Sequence, residues 1–189
     1  MHEMPQRRSA LLKAYQTGTF GATPEDGPGI QLAERRGLAI IHLAGPGEDE
    51  AFRAAVKGCL GCAAPLIPNA TATSGDRRLL WLAPTRWLVV STGDGPADLL
   101  SGLTAALVGL PAAVTDVSSG RTVIRIMGRD SRNLLAKAAP WTFIALASSS
   151  AAAPKVSSAA STCFSTPPAP GRPSISIVPA ASRFRCGNG

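Results

Sequence analysis

Aromatic residues make up only 5% of this 189-residue chain, and a single tyrosine is among them. That is too few to furnish a stacking sheet for single-stranded nucleic acid. The two histidines, His2 and His42, and the four cysteines, Cys59, Cys62, Cys163 and Cys186, do not add up to a paired structural zinc set. No run of about 18 or more apolar residues is present, so no membrane-crossing helix is expected. The opening MHEMPQRRSALLKAYQ lacks the sustained apolar stretch and small-residue cleavage site of a secretory signal, which predicts a cytoplasmic chain. GxSxG, HExxH, the phosphate-cradling P-loop and GxGxxG are all missing. Acid is scarce as well: 12 Asp and Glu stand against 19 Lys and Arg, and no acid follows Asp130.

What is present describes a globular protein. Hydrophobic residues reach 45% and charged residues 16%, and the length suffices for one buried core without disulfides or metals. The formal charge of +7 is unevenly spread: residues 1–140 contribute +3, and residues 141–189, with four basic residues and no acid, contribute +4. The isoelectric point of 9.9 therefore describes a basic tail on a nearly balanced domain. It is poor support for a specific nucleic-acid partner.

Up to about Pro140 the chain alternates strand-like and helix-like segments. Leu32 to Leu43 reads as two strands around the turn at Arg36-Gly37. Glu48-Asp49-Glu50 places acid where a helix N-terminus favours it, ahead of the amphipathic AFRAAVKGCLG. RLLWLA and RWLVVST look like a strand pair across Pro84-Thr85, and Pro96 suits the first turn of a helix through ADLLSGLTAALVGL. AVTDVS and TVIRIMG read as strands flanking Ser118-Ser119-Gly120-Arg121, and SRNLLAKAA as a last helix. This order predicts an α+β fold, a mainly antiparallel sheet with helices packed on one face. We divide the chain into an N-terminal arm (1–29), an α+β domain (30–140) and a tail (141–189). The tail holds ten Ser, ten Ala and six Pro with no sustained period, so loop or disorder is expected there.

Several positions suggest chemistry, each with a plainer reading beside it. Cys59-x-x-Cys62 has redox spacing, yet it closes a helix, whereas a redox pair opens one so that the dipole lowers the thiol pKa. Packed thiols are the expected outcome. His42 sits in an apolar strand with no nucleophile to serve. Trp81 and Trp87, on adjacent strands, are either a ligand platform or core and interface anchors. Asp116 and Arg121 flank the 118–120 turn, where they bind a ligand jointly or pin the end of a hairpin, Asp116 by accepting backbone N–H groups and Arg121 by a local ion pair.

Two stretches carry a family resemblance. PNATATSGDRRLLWLAPTRWLVV (68–90) and VTDVSSGRTVIRIMGRDSRNLLAKAAP (114–140) are similar to the "PN…GD…LWL.PDEWLLV" and "V.DVS.GRTVLRLSG..AR.LLAKG.P" stretches of the gamma subunits of heterotetrameric sarcosine oxidases. The likeness covers roughly 30–140 and departs at Thr85-Arg86, where the family usually has an acidic pair. That family in turn resembles the folate-binding domain of aminomethyltransferases. The motif likeness stops at Pro140. In a shifted reading frame, a coding sequence for WTFIALASSS can also be read as LDLHRARFKL, similar to the family's continuation. This makes a frameshifted tail and an incomplete C-terminal part the expectation.

The resemblance implies a non-catalytic subunit of a complex for sarcosine catabolism and one-carbon metabolism, which demethylates sarcosine oxidatively to glycine. It implies alpha, beta and delta subunits as partners, and FAD, FMN, NAD and tetrahydrofolate held elsewhere in the complex with no cofactor on this chain. Catalytic, cofactor-binding and metal residues are expected to be absent. Trp81, Trp87, Asp116 and Arg121 are the positions singled out as interface or motif residues. The alternatives are a stand-alone folate-binding aminomethyltransferase-like protein and, behind it, a basic nucleic-acid-binding module.

Overall fold

The computed structural model of the chain describes residues 9, 11–12, 16–21, 25, 27–138, 156–158, 161–166 and 174–179. Its elements are β1 (Gln31–Arg35), β2 (Ala39–Ala44), α1 (Glu50–Leu60), β3 (Thr71–Ser74), β4 (Arg77–Ala83), β5 (Arg86–Ser91), α2 (Pro96–Ala106), β6 (Ala113–Asp116), a 3-10 turn (Ser118–Gly120), β7 (Val123–Met127), α3 (Ser131–Ala138), β8 (Val156–Ser158), β9 (Ser161–Thr166) and β10 (Ser174–Pro179). The fold is α+β, and every strand pair is antiparallel. The single expected sheet is in fact two five-stranded sheets, ordered β3-β4-β5-β2-β6 and β1-β7-β10-β9-β8.

The chain forms two compact units. One comprises Gly37–Arg121 with Phe143–Lys155, and the other Met1–Arg36, Thr122–Thr142 and Val156–Gly189. The 30–140 span is therefore shared between them. Two expected neighbour pairs are not pairs: β1 and β2 lie in different sheets, and so do β6 and β7. Arg36-Gly37 and Ser118–Arg121 thus pass the chain from one sheet to the other instead of closing hairpins. Local turn chemistry marks where a chain bends, but which strand it then joins depends on non-local hydrogen bonds.

In the Gly37–Arg121 unit, α1 and α2 share one face of the sheet. Leu43 opposes Trp87, and Ile41 and Leu79 both oppose Val89. Cross-strand partners point to the same face. These residues join Phe52, Val56 and Leu60 of α1 and Leu99 and Leu103 of α2 in one buried cluster. The helix spacing expected for α1 is realised, since positions 52, 56 and 60 repeat every fourth residue along one stripe. Asp49 caps it by accepting the Phe52 N–H at 2.8 Å, and Gly61 closes it with φ +75°. Gly95 and Pro96 open α2. Its α-helical part ends at Ala106, short of Leu110, where the sequence pattern had carried it. Strand β3 was not among the strands read from the sequence: TATS has no apolar alternation to announce it, yet it pairs with β4 from Thr71↔Leu80 to Ser74↔Arg77.

In the other unit β7 is an inner strand, next to the edge strand β1. It pairs with β1 from Gln31↔Met127 to Arg35↔Val123 and with β10 from Ser174↔Met127 to Ile177↔Ile124. The tail is thus not wholly irregular, as its composition suggested. The SISIV segment alternates polar and apolar residues between prolines 173 and 179, and that short alternation is enough for a strand. Residues 139–155, including the start of the frameshifted reading at 141, lie outside the described residues.

Candidate functional site

The tryptophans are placed by the β4–β5 hairpin, whose register sets Trp81 opposite Trp87, with a bulge between Trp81 and Ala83. Trp87 is fully buried. Its ring lies 5.6 Å from Phe52, centroid to centroid, at 35°. Its indole N–H donates to the Pro65 carbonyl at 2.8 Å. A large ring with a satisfied donor is a core anchor, so Trp87 offers no surface to a ligand or partner. Trp81 is half-buried at the margin of the same cluster, and its backbone N–H donates to the Ala70 carbonyl at 3.0 Å. Together these two bonds hold the 65–70 loop against the sheet. Leu66 (41% exposed) and Ile67 (73% exposed) sit in that loop and turn outward.

Asp116 and Arg121 are close in sequence but separate in role. One Asp116 carboxylate oxygen accepts the Ser118 N–H at 2.8 Å and lies in contact with the Ser118 hydroxyl. Ser118 Oγ in turn accepts the Ile40 N–H at 2.8 Å, and Val117 N–H donates to the Ile40 carbonyl at 2.9 Å. Asp116 therefore fastens the 3-10 turn to β2, a turn role in a crossing rather than in a hairpin. Among the described residues Arg121 has no ion pair, and burial lowers its pKa. The local ion pair expected of Arg121 is thus not found among the described residues. His42 is half-buried on β2, and its pKa is lowered first by burial and then by the charges of Arg86 and Arg121.

The most connected polar group escaped the sequence reading. Arg77, opening β4, donates through Nε and Nη2 to the two carboxylate oxygens of Asp94 at 2.7 and 2.8 Å, and through Nη1 to the Cys59 carbonyl at 2.8 Å. Ser91 Oγ donates to Asp94 at 2.7 Å. The Arg77 and Ser91 bonds hold the Asp94 carboxyl down at about 2. This fork occupies the C-terminal end of α1, where a cation complements the helix dipole. It borders an open depression of about 480 Å³ lined also by Gly58, Gly61, Ser74 and Asp76. The network joins α1, β4 and the β5–α2 turn. Its partners are 17 residues apart, and no linear motif links Arg77 with Gly93-Asp94-Gly95.

The Cys59 and Cys62 thiols lie beside this network, half-buried and buried respectively. Burial raises both pKa values. A thiol held protonated is a poor nucleophile and a poor metal ligand, which matches their expected packing role. Among the described residues, no group of three His, Cys, Asp or Glu is arranged to hold a metal ion.

Comparison with known proteins agrees with this architecture. No curated protein matches the chain. Among solved structures, the heterotetrameric sarcosine oxidase from Corynebacterium sp. U-96, in complex with pyrrole 2-carboxylate, superposes with a TM-score of 0.66 at 24% identity, over 80% of this chain and 76% of that one. The glycine cleavage system aminomethyltransferase T from Bartonella henselae gives 0.56 at 15% identity, over 79% of this chain and 41% of that one. Both likenesses are of fold. The sarcosine oxidase gamma subunit family matches residues 44–164, running 24 residues past the Pro140 at which the motif likeness stops. That match spans more than half of the sequence, and the chain belongs to the sarcosine oxidase, gamma subunit family.

Proposed function

We propose that this chain acts as the gamma subunit of a heterotetrameric sarcosine oxidase, supporting the oxidative demethylation of sarcosine to glycine without contributing a catalytic residue. The family match over residues 44–164 carries the reading. The polar groups support it in kind: Asp116, Ser118, Arg77 and Asp94 are engaged in fastening elements to one another. Alpha, beta and delta subunits are the partners, and FAD, FMN, NAD and tetrahydrofolate belong to them. The cytoplasm is the proposed location, as expected from the sequence; among the described residues no helix is long and apolar enough to cross a membrane. The 65–70 loop is the docking surface, since Leu66 and Ile67 present apolar area from a loop secured at Trp81 and Trp87.

Co-expression with the other subunits tests the assignment. The chain is expected to co-purify with a complex showing flavin absorbance, and Ile67→Asp to weaken that association by about tenfold or more without lowering the chain's own stability. A flavoprotein that assembles and turns over sarcosine while this chain stays behind overturns it. The tail after Pro140 is read as translated out of frame. Sequencing the coding DNA is expected to show the family-like continuation in the alternative frame, and a frame that encodes no such continuation ends that reading. A stand-alone aminomethyltransferase-like role is not favoured, since the chain covers 41% of the aminomethyltransferase it resembles in fold.

A further inference from the structure

Residues 66–69 are all exposed, yet their path is fixed from both sides. Before them Cys62 and Ala64 belong to the buried core cluster, and the Pro65 carbonyl accepts the Trp87 indole N–H at 2.8 Å. After them the Ala70 carbonyl accepts the Trp81 N–H at 3.0 Å. Between these ties the chain closes on itself, because the Ala70 N–H donates to the Ile67 carbonyl at 3.1 Å. Pro65 and Pro68 lock two further φ angles.

Asn69 completes this turn. Its φ is +64°, the one positive φ outside glycine among the described residues. A bond from the fourth residue to the first, proline second and a left-handed asparagine third give Ile67–Ala70 the pattern of a type II turn. Asparagine tolerates this conformation, and most side chains do not. No burial demands it here, since Asn69 itself is exposed. What it secures is the aim of Leu66 and Ile67, two adjacent apolar side chains, of which Ile67 is 73% exposed.

We propose that the Ile67–Ala70 turn is a preorganised docking tip, with Asn69 as the positioning residue that presents Ile67 to a concave apolar socket on a partner subunit. The inference rests on the reading of the 65–70 loop as a docking surface. It adds the source of affinity: a tip already in its bound shape loses little conformational entropy on docking. Two exposed side chains offer far less than the ~800 Å² per partner of a standard interface. Two copies of this chain meeting tip to tip would therefore fall short of a stable dimer. A hollow on a larger partner encloses the same side chains from several sides, and buried anchors of that kind contribute most to binding.

Competitive co-expression tests this. Parent and variant full-length chains, in equal amounts, compete for the other subunits, and mass spectrometry of the purified complex reads the share of each. Asn69→Val is expected to enter about fivefold less than the parent, and Asn69→Gly within about twofold of it, since glycine accepts the left-handed φ and valine does not. On the full chain alone, amide exchange at Ala70 is expected to rise several-fold in Asn69→Val while exchange in β2 and β5 keeps the parent's rate, the signature of a loosened turn in a folded chain. If Asn69→Val does not fold, Asn69→Ala takes its place, with an expected loss of about threefold. A folded variant that enters the complex like the parent, or leaves Ala70 exchange unchanged, overturns the inference; if Ile67→Asp is excluded in the same experiment, the docking reading survives. Ile67→Asp entering like the parent overturns the docking reading and the inference with it, as does a parent chain that never assembles. Sedimentation of the chain alone covers the other occupant: a concentration-dependent dimer that Ile67→Asp abolishes makes the socket a second copy and overturns its assignment to a partner subunit.

Discussion

Asp94 shows how one carboxylate is put to structural use. Its pKa falls from 3.8 to about 2 because Arg77 and Ser91 bond the charged form. The ionised carboxylate therefore stabilises the fold above about pH 4, and that contribution is lost as pH falls through about 2. Because the pair is partly open to solvent, Asp94→Asn is expected to cost about 1 kcal/mol at pH 7. Urea denaturation of both chains at pH 7 and pH 2.5 checks this: the gap between them narrows in acid. Trp87 makes a larger contribution. Trp87→Ala is expected to cost about 3–5 kcal/mol through lost burial and cavity formation. Trp87→Phe keeps a ring against Phe52 but leaves the Pro65 carbonyl without its donor, for a smaller loss of about 1–2 kcal/mol. Denaturant midpoints of the two variants separate packing from the hydrogen bond. Trp87 was legible as an anchor from its size and its apolar strand. The Arg77–Asp94 fork was not, since a strand start and a distant turn carry no shared local signal.

At the scale of elements, end signals were read well and short strands poorly. The acids before α1 and the proline at the head of α2 act through local backbone chemistry, so they stand in the sequence where they stand in the fold. Asp49→Ala removes the bond to the Phe52 N–H and is expected to lower stability by about 1 kcal/mol, measured by thermal or urea unfolding. Strand β3 had no such signal; its pairing with β4 makes TATS a strand. Gly128, between β7 and α3, is fixed by tertiary crowding. Its φ is +116°, and a Cβ there would stand 2.2 Å from the Gly29 carbonyl oxygen. Gly128→Ala is thus expected to cost about 2 kcal/mol or more, because backbone rather than a side-chain tip must move. Amide exchange should rise first in β1 and β7, whose pairing runs from Gln31↔Met127.

At the scale of the whole molecule, two long-range choices organise the chain. It leaves one sheet at Arg36-Gly37 and returns near Arg121, so that β1 and β7 pair across about 90 intervening residues. Contacts of such separation have no counterpart in a sliding window along the sequence. Past the same crossing Asp116 bonds Ser118, and among the described residues Arg121 makes no ion pair. Removing residues 141–189 would delete the β10 partner of β7. A chain ending at Pro140 is expected to lose solubility, measured by sedimentation at equal concentration, because β7 gains an open edge on that side.

Composition, helix caps, the apolar stripe of α1, the β4–β5 pair and the two family-like motifs were determined by the sequence itself. Each is a short-range pattern, set by backbone geometry and the water-avoidance of nearby side chains. The division into two sheets and the Arg77–Asp94 fork were decided only by tertiary structure. Their partners are brought together by strand pairings whose hydrogen-bonding groups every residue carries alike, so the choice among them is made by the folded whole.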